Sequence, residues 1–142
     1  MKENIIFFQD ADKSYIKAIG GKGANLCELT KGNFPVPNGF CITTDAYFKI
    51  SQKAGISGLI DQLPETINKS EDNIKTISAS IRNKLKEVEI PEVIFDQLIL
   101  SYQQLGAISV AVRSSSTAED LKEASFAGQQ DTFLNIKDQK HY

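Results

Sequence analysis

Apolar and polar positions along the 142-residue chain change period several times, and each change predicts an element. Residues 5–8, Ile-Ile-Phe-Phe, form a brief apolar run bounded by polar residues and predict a first strand. In "AIGGKGANLCELTKGN" a glycine turn precedes a short helix whose apolar side is Ala24, Leu26, Cys27 and Leu29, and Gly32 with Asn33 stops it. Pro35 and Pro37 impose an extended path, Gly39 permits a turn, and residues 40–43 read as a second strand. Thr44 or Asp45 offers a side-chain oxygen to cap a helix over residues 45–53, with Gly55 ending it. Residues 55–68 are expected to be irregular or only briefly helical.

The clearest helix covers residues 70–88, where Ile74, Ile77, Ile81, Leu85 and Val88 fall three or four apart in one stripe. Pro91 suits the first position of another helix. That helix carries Ile94, Leu98 and Leu105 on one side, with Phe95 and Tyr102 beside them, and Gly106 closes it. The last third switches to period two. Ile108, Val110 and Val112 alternate with Ser109, Ala111 and Arg113, and Thr132, Leu134 and Ile136 alternate with Phe133 on the other face. The elements add up to an α/β (α+β) fold in one domain, a short sheet packed with several helices.

Composition narrows the function classes. Hydrophobic content of 41% and charged content of 24% are ordinary for a folded chain of this length. A formal net charge of -2 gives no global basic field, so nucleic acid is not an expected partner. Nor is a membrane: no apolar run is long enough to span one, and the opening residues lack the pattern of a secretory signal, so the expected compartment is the cytoplasm. Cys27 and Cys41 are too far apart for a CxxC pair and read as buried, reduced thiols. The sole histidine, His141, is next to last and reads as a tail residue. Without a usable histidine, neither a Ser–His–Asp nor a Cys–His arrangement can form.

Two segments carry candidate chemistry. In "GGKGAN", Gly20 and Gly21 allow a tight turn, Gly23 leaves room beside the backbone, and Lys22 supplies a mobile point charge suited to phosphate. A helix starting there would aim N–H groups and a positive dipole end at an anion. The spacing is neither a Walker P-loop nor GxGxxG, and the alternative is a glycine turn before a helix with an exposed lysine. The second segment is "VAVRSSSTAEDLKEASFAGQQDTFLNI". Arg113 stands at a strand end, where a guanidinium can grip phosphate oxygens with two parallel hydrogen bonds. Ser114, Ser115, Ser116 and Thr117 add hydroxyls, Glu119 and Asp120 can cap a turn or hold the arginine, and Gly128, Gln129 and Gln130 form a small polar lip. The alternative is a polar surface loop with an Arg–Glu pair. Binding and orienting a polyphosphate is the chemistry these residues support.

Read together, "GGKGANLCEL…PVPNGFCITTDAY" and "VAVRSSSTAEDLKEASFAGQQDTFLNI" resemble the N-terminal ATP-binding domain of the phosphoenolpyruvate synthase, pyruvate phosphate dikinase and rifampicin phosphotransferase family. The resemblance runs through nearly the whole chain in the same order. It implies an ATP-grasp-like fold with ATP between two subdomains. It also implies splitting of ATP to AMP and phosphoryl transfer through a phosphohistidine on a separate domain, most often to pyruvate. By the same resemblance Lys22 and Arg113 contact ATP phosphates, and Gly128 and Thr132 match nucleotide-contact positions.

Members of that family are much longer. The resemblance therefore implies that residues 1–142 are the N-terminal portion of the ATP-binding domain. Magnesium ligands, the second half of the ATP site, the phosphohistidine domain and the acceptor domain are expected outside this chain, and the isolated chain is expected not to turn over. Rifampicin phosphotransferase is the nearest alternative within the class. A non-catalytic nucleotide-binding module and a plain interaction domain are the alternatives outside it.

Overall fold

The computed structural model describes residues 3–67, 71–107, 109–117 and 131–136. Strand β1 (Ile5–Phe7) pairs antiparallel with β2 (Phe40–Ile42), with Ile6 opposite Cys41 and Phe7 opposite Phe40. The two rings of that last pair meet edge to face, 5.6 Å between centroids. The connection between these strands is helix α1 (Ile16–Lys31). It packs back to form a core of Ile6, Ala11, Ile19, Ala24 and Cys27, flanked by Phe8, Ile16, Ala18 and Cys41. Three of those core residues are Ala or Cys, so backbones approach closely and little side-chain volume separates them.

Side-chain hydrogen bonds fix the ends of α1. Asp12 caps the short turn before it by accepting from the Ser14 amide at 2.9 Å, and pairs with Lys31 from the last turn at 2.8 Å. Lys31 first, then Ser14, hold the Asp12 carboxyl well below its ordinary range. After the helix, the Phe8 amide donates to the Gly39 carbonyl at 3.0 Å, and the Phe8 ring lies where a side chain on residue 39 would stand.

Helix α2 (Thr44–Lys53) is capped by Thr43, one residue before the expected pair. The Thr43 hydroxyl accepts from the Ala46 amide at 3.3 Å and donates to the Glu3 carbonyl at 2.7 Å, so one buried side chain both starts α2 and ties it to the entry of β1. Helix α3 (Ser57–Ile67) replaces the irregular segment expected there. The wholly buried Ile56 anchors its start, and Leu59 and Leu63 follow at helical spacing; Gly58 and the internal Pro64 had masked that period. It packs against α4 (Glu71–Glu87), the long stripe helix. Ile74, Ile77, Ile81 and Leu85 are half-buried on that stripe. Pro91 is the N-cap of α5 (Glu92–Leu105) and not its first turn, and Gly106 ends α5 in the left-handed region at φ 61. The buried Asn4 links three elements: its amide donates to Gln97 of α5 at 2.8 Å, and its oxygen accepts from Lys49 of α2 at 2.6 Å.

A second antiparallel pair joins β3 (Val110–Arg113) to β4 (Thr132–Ile136). Val112 faces Phe133 and Arg113 faces Thr132, but Val110 faces Ile136 across a register shift. The extra residue lies on β4, where Asn135 adopts φ 59. This bulge moves Ile136 to the face of Phe133, so the strict alternation of Thr132, Leu134 and Ile136 read from the sequence breaks after Leu134. Among the described residues no helix is long and apolar enough to cross a membrane.

The core cysteines make a pH test. Cys27 is buried as expected and Cys41 is only half-buried; desolvation pushes both thiols up, Cys41 from 9.0 to about 12. At pH 8 both should therefore label slowly with iodoacetamide in the native chain and at the free-thiol rate in urea. Because the folded value of Cys41 lies above the unfolded one, its contribution to stability is whole below about pH 9 and is lost as pH rises toward 12. The urea midpoint should fall between pH 8 and pH 10.5 by more in the native sequence than in Cys41→Ala. Equal slopes, or fast native labelling of Cys41, would contradict its desolvation against α1.

Candidate functional site

Helix α1 is two helical segments joined at Gly20, whose φ of 73 and ψ of 172 are open only to glycine. The main segment starts at Gly21. Gly20 is thus its N-cap, Lys22 its second residue and Gly23 its third. An N-cap residue ordinarily gives a side-chain oxygen to the amide of the second or third position, and glycine has none to give. Ser115 gives it instead, from 92 residues away: its Oγ accepts from the Gly23 amide at 2.9 Å and donates to the Ile19 carbonyl at 2.7 Å. The Gly21 amide donates to the Ser116 carbonyl at 3.0 Å.

The shapes fit as tightly as the polar groups. A Cβ on Gly20 would stand 2.5 Å from the Ser115 Oγ and overlap its carbonyl. A Cβ on Gly23 would stand 2.8 Å from Cys41 Sγ. Two sequence expectations are therefore corrected. The space beside Gly23 is filled by Cys41 of β2 and is not open to a ligand. The amides of Gly21 and Gly23 face the serine run and not an anion.

This junction decides where the candidate side chains lie. Lys22 is exposed, between the two glycines whose amides are fastened to residues 115 and 116. Arg113 is exposed at the end of β3, two positions before Ser115, and Thr132 is exposed directly across the ladder from it. The segments that carry three of the four sequence-predicted residues are thus joined through one set of hydrogen bonds and one ladder pair. The fourth, Gly128, lies outside the described residues, as do Glu119, Asp120, Gln129 and Gln130. Among the described residues Arg113 has no ion-pair partner, and no three His, Cys, Asp or Glu side chains gather to hold a metal. An exposed lysine, an exposed guanidinium and an exposed strand hydroxyl, that of Thr132, are suited to a polyphosphate: the lysine as a point charge, the arginine as a fork. Sequence reading did not isolate Ser115. The signal was there, a glycine at a helix start with no cap of its own and a serine triplet elsewhere.

Comparison with known proteins agrees with this chemistry. Residues 16–142 match the family described as pyruvate phosphate dikinase, AMP/ATP-binding domain. A protein of Methanothermobacter thermautotrophicus named "Probable phosphoenolpyruvate synthase" is 42% identical over 96% of this chain and 21% of its own length. The rifampicin phosphotransferase of Bacillus subtilis is 42% identical over 96% of this chain and 16% of its own. The phosphoenolpyruvate synthase of Aeropyrum pernix is 39% identical over 94% and 17%. The chain thus spans about a fifth or less of the length of these relatives.

The Gly20 junction predicts a sharp asymmetry among glycines. Gly20→Ala places a Cβ in a glycine-only backbone region and against the Ser115 backbone. The expected loss is about 3 kcal/mol or more, by adding typical costs of backbone strain and overpacking. Gly58→Ala, whose Cβ meets nothing within 4 Å, should be neutral or slightly stabilising. Thermal unfolding of both variants checks this, and similar melting temperatures would refute the wedge at Gly20.

Proposed function

The chain belongs to the pyruvate phosphate dikinase AMP/ATP-binding domain family, and from that premise we propose that it supplies one wall of the ATP site of a dikinase-type phosphotransferase. The observation that supports the proposal is the Ser115 junction, which fastens the segment carrying Lys22 to the segment that follows Arg113, itself paired with Thr132. In this reading the Arg113 guanidinium grips phosphate oxygens in a bidentate manner, the Lys22 ammonium balances a neighbouring phosphate, and the Thr132 hydroxyl donates to the nucleotide beside Arg113. Gly128 serves as a point of close backbone approach. Magnesium, in this reading, is held by residues beyond this chain.

The complete reaction in this reading cleaves ATP to AMP and passes a phosphoryl group by way of a histidine-bearing domain to an acceptor, pyruvate first. The domain has the two-subdomain ATP-grasp-like arrangement and works in the cytoplasm. Rifampicin is the second acceptor to consider, because a rifampicin phosphotransferase and a phosphoenolpyruvate synthase are equally similar to this chain, each at 42% identity. The wall built here binds the donor; the acceptor contacts lie elsewhere.

Titrating ATP into the ¹⁵N-labelled chain should shift the amides of Lys22, Arg113 and Thr132 together, with an affinity on the order of 1 mM. Lys22→Met and Arg113→Ala should each weaken it about tenfold, the scale of one hydrogen bond to a charged group. Arg113→Lys should not restore it, because an ammonium cannot form the fork. Shifts confined to residues remote from Arg113 would remove the assignment. In the protein of the full reading frame, AMP release with pyruvate against AMP release with rifampicin assigns the acceptor.

A further inference from the structure

The nucleotide site as proposed has two cationic side chains on segments far apart in sequence, and one hydroxyl touches both segments. We propose that Ser115 is a positioning residue of that site: its hydroxyl is the N-cap of the helix carrying Lys22, and so fixes where the Lys22 ammonium stands relative to Arg113. This rests on the reading of the site as a nucleotide site. Three observations carry it.

The hydroxyl works in both directions. It accepts from the Gly23 amide at 2.9 Å and donates to the Ile19 carbonyl at 2.7 Å, the groups on either side of the break at Gly20. It therefore defines the angle between the two helical segments as well as capping the second. A donor whose own oxygen is accepting forms a stronger pair of bonds than two separate ones.

The contact also admits no slack. The missing Cβ of Gly20 is the space that Ser115 occupies, and the Cys41 sulfur closes the opposite side at Gly23. The helix start is held between β2 and the serine run, and Lys22 is the residue between the two held glycines. A shift of Ser115 moves the backbone of Lys22 with it.

Finally, Ser115 is two residues past Arg113, just beyond the end of the strand whose last rung pairs Arg113 with Thr132. The Gly21 to Ser116 bond, 3.0 Å, adds a second fastening on the same path. The same hydroxyl thus registers a helix-borne lysine against a strand-borne arginine.

The test uses three variants of the 142-residue chain, amide hydrogen exchange and ATP titration. Ser115→Ala should raise the exchange rate of the Gly23 amide roughly fivefold to tenfold, the scale of one lost cap, and weaken ATP binding about tenfold. Ser115→Thr, which keeps the hydroxyl, should hold both within about threefold. Thr43→Ala removes the equivalent cap of α2, where Thr43 likewise accepts from one amide and donates to one carbonyl. It should cost similar stability and leave ATP affinity unchanged, because that cap holds no nucleotide-facing residue.

If Ser115→Ala exposes the Gly23 amide but binds ATP as the native chain does, the cap stands and the positioning role is wrong. The role is equally wrong if Ser115→Ala and Thr43→Ala weaken ATP binding alike, since the effect then belongs to stability alone. If the native chain shows no ATP-dependent shift at Lys22 and Arg113, the nucleotide reading fails and takes the positioning role with it, whatever the Gly23 amide shows.

Discussion

Everything that gives this chain a site depends on one serine hydroxyl seated against a glycine that lacks both a side chain and an ordinary backbone conformation. Gly20 breaks α1 and leaves the start of its main segment uncapped. Ser115 fills the space and makes the missing cap. Each half explains the other. A residue with a Cβ at position 20 would exclude Ser115, and without Ser115 the break would leave the Gly23 amide without that partner at a buried position. Closing a loop of more than 90 residues for a pair of hydrogen bonds carries an entropic cost that grows only slowly with loop length. The packed β1–α1–β2 core supplies the fixed surface on which that closure happens.

That core is built for close approach. Ala24 and Cys27 on α1 are wholly or almost wholly buried, and Cys41 on β2 reaches the place where Gly23 has no side chain. Small residues on one helix face therefore do two things at once. They bring α1 down onto the first sheet, and they leave the glycine end of the helix with its amides turned to the serine run. The raised thiol values of Cys27 and Cys41 have the same origin, desolvation where α1 packs down on β2.

Much of this was legible in the chain, in proportion to how local the cause is. The stripe of Ile74, Ile77, Ile81 and Leu85 and the closing Gly106 depend on neighbours within a turn, and the structure has them where the pattern placed them. Residue type and resemblance single out Lys22, Arg113 and Thr132, and the structure brings the segments that carry them together. What was not legible depends on distant partners. Helix α3 rests on the burial of Ile56, which no window over Gly58 and Pro64 reveals. The β4 bulge is set by the register against β3 and by one asparagine at φ 59, which an alternation count cannot see. The glycine run was read as a cradle for an anion because its amides were taken as open to ligand. Only the fold shows that a serine from the other end of the chain already holds two of them.

This occupancy changes how an anion can be recognised here. In a phosphate loop of the Walker kind, successive backbone amides do the binding, and the side chains refine it. Here the amides of Gly21 and Gly23 are engaged within the protein, so in the proposed site side chains would do the discriminating, and their placement would come from how the backbone under them is held. The dipole of the α1 segment still points its positive end toward Lys22, which adds a field without adding a donor. The second carrier, the β3–β4 pair, is poorly covered: Val112, Phe133 and Leu134 are 49%, 55% and 65% exposed. A two-stranded ribbon with that little burial is marginal alone. Its attachment to α1 through Ser115 and Ser116 consequently does for Arg113 and Thr132 what a core does for an ordinary strand. Under the proposed reading, structural fastening and ligand geometry meet in the same contact.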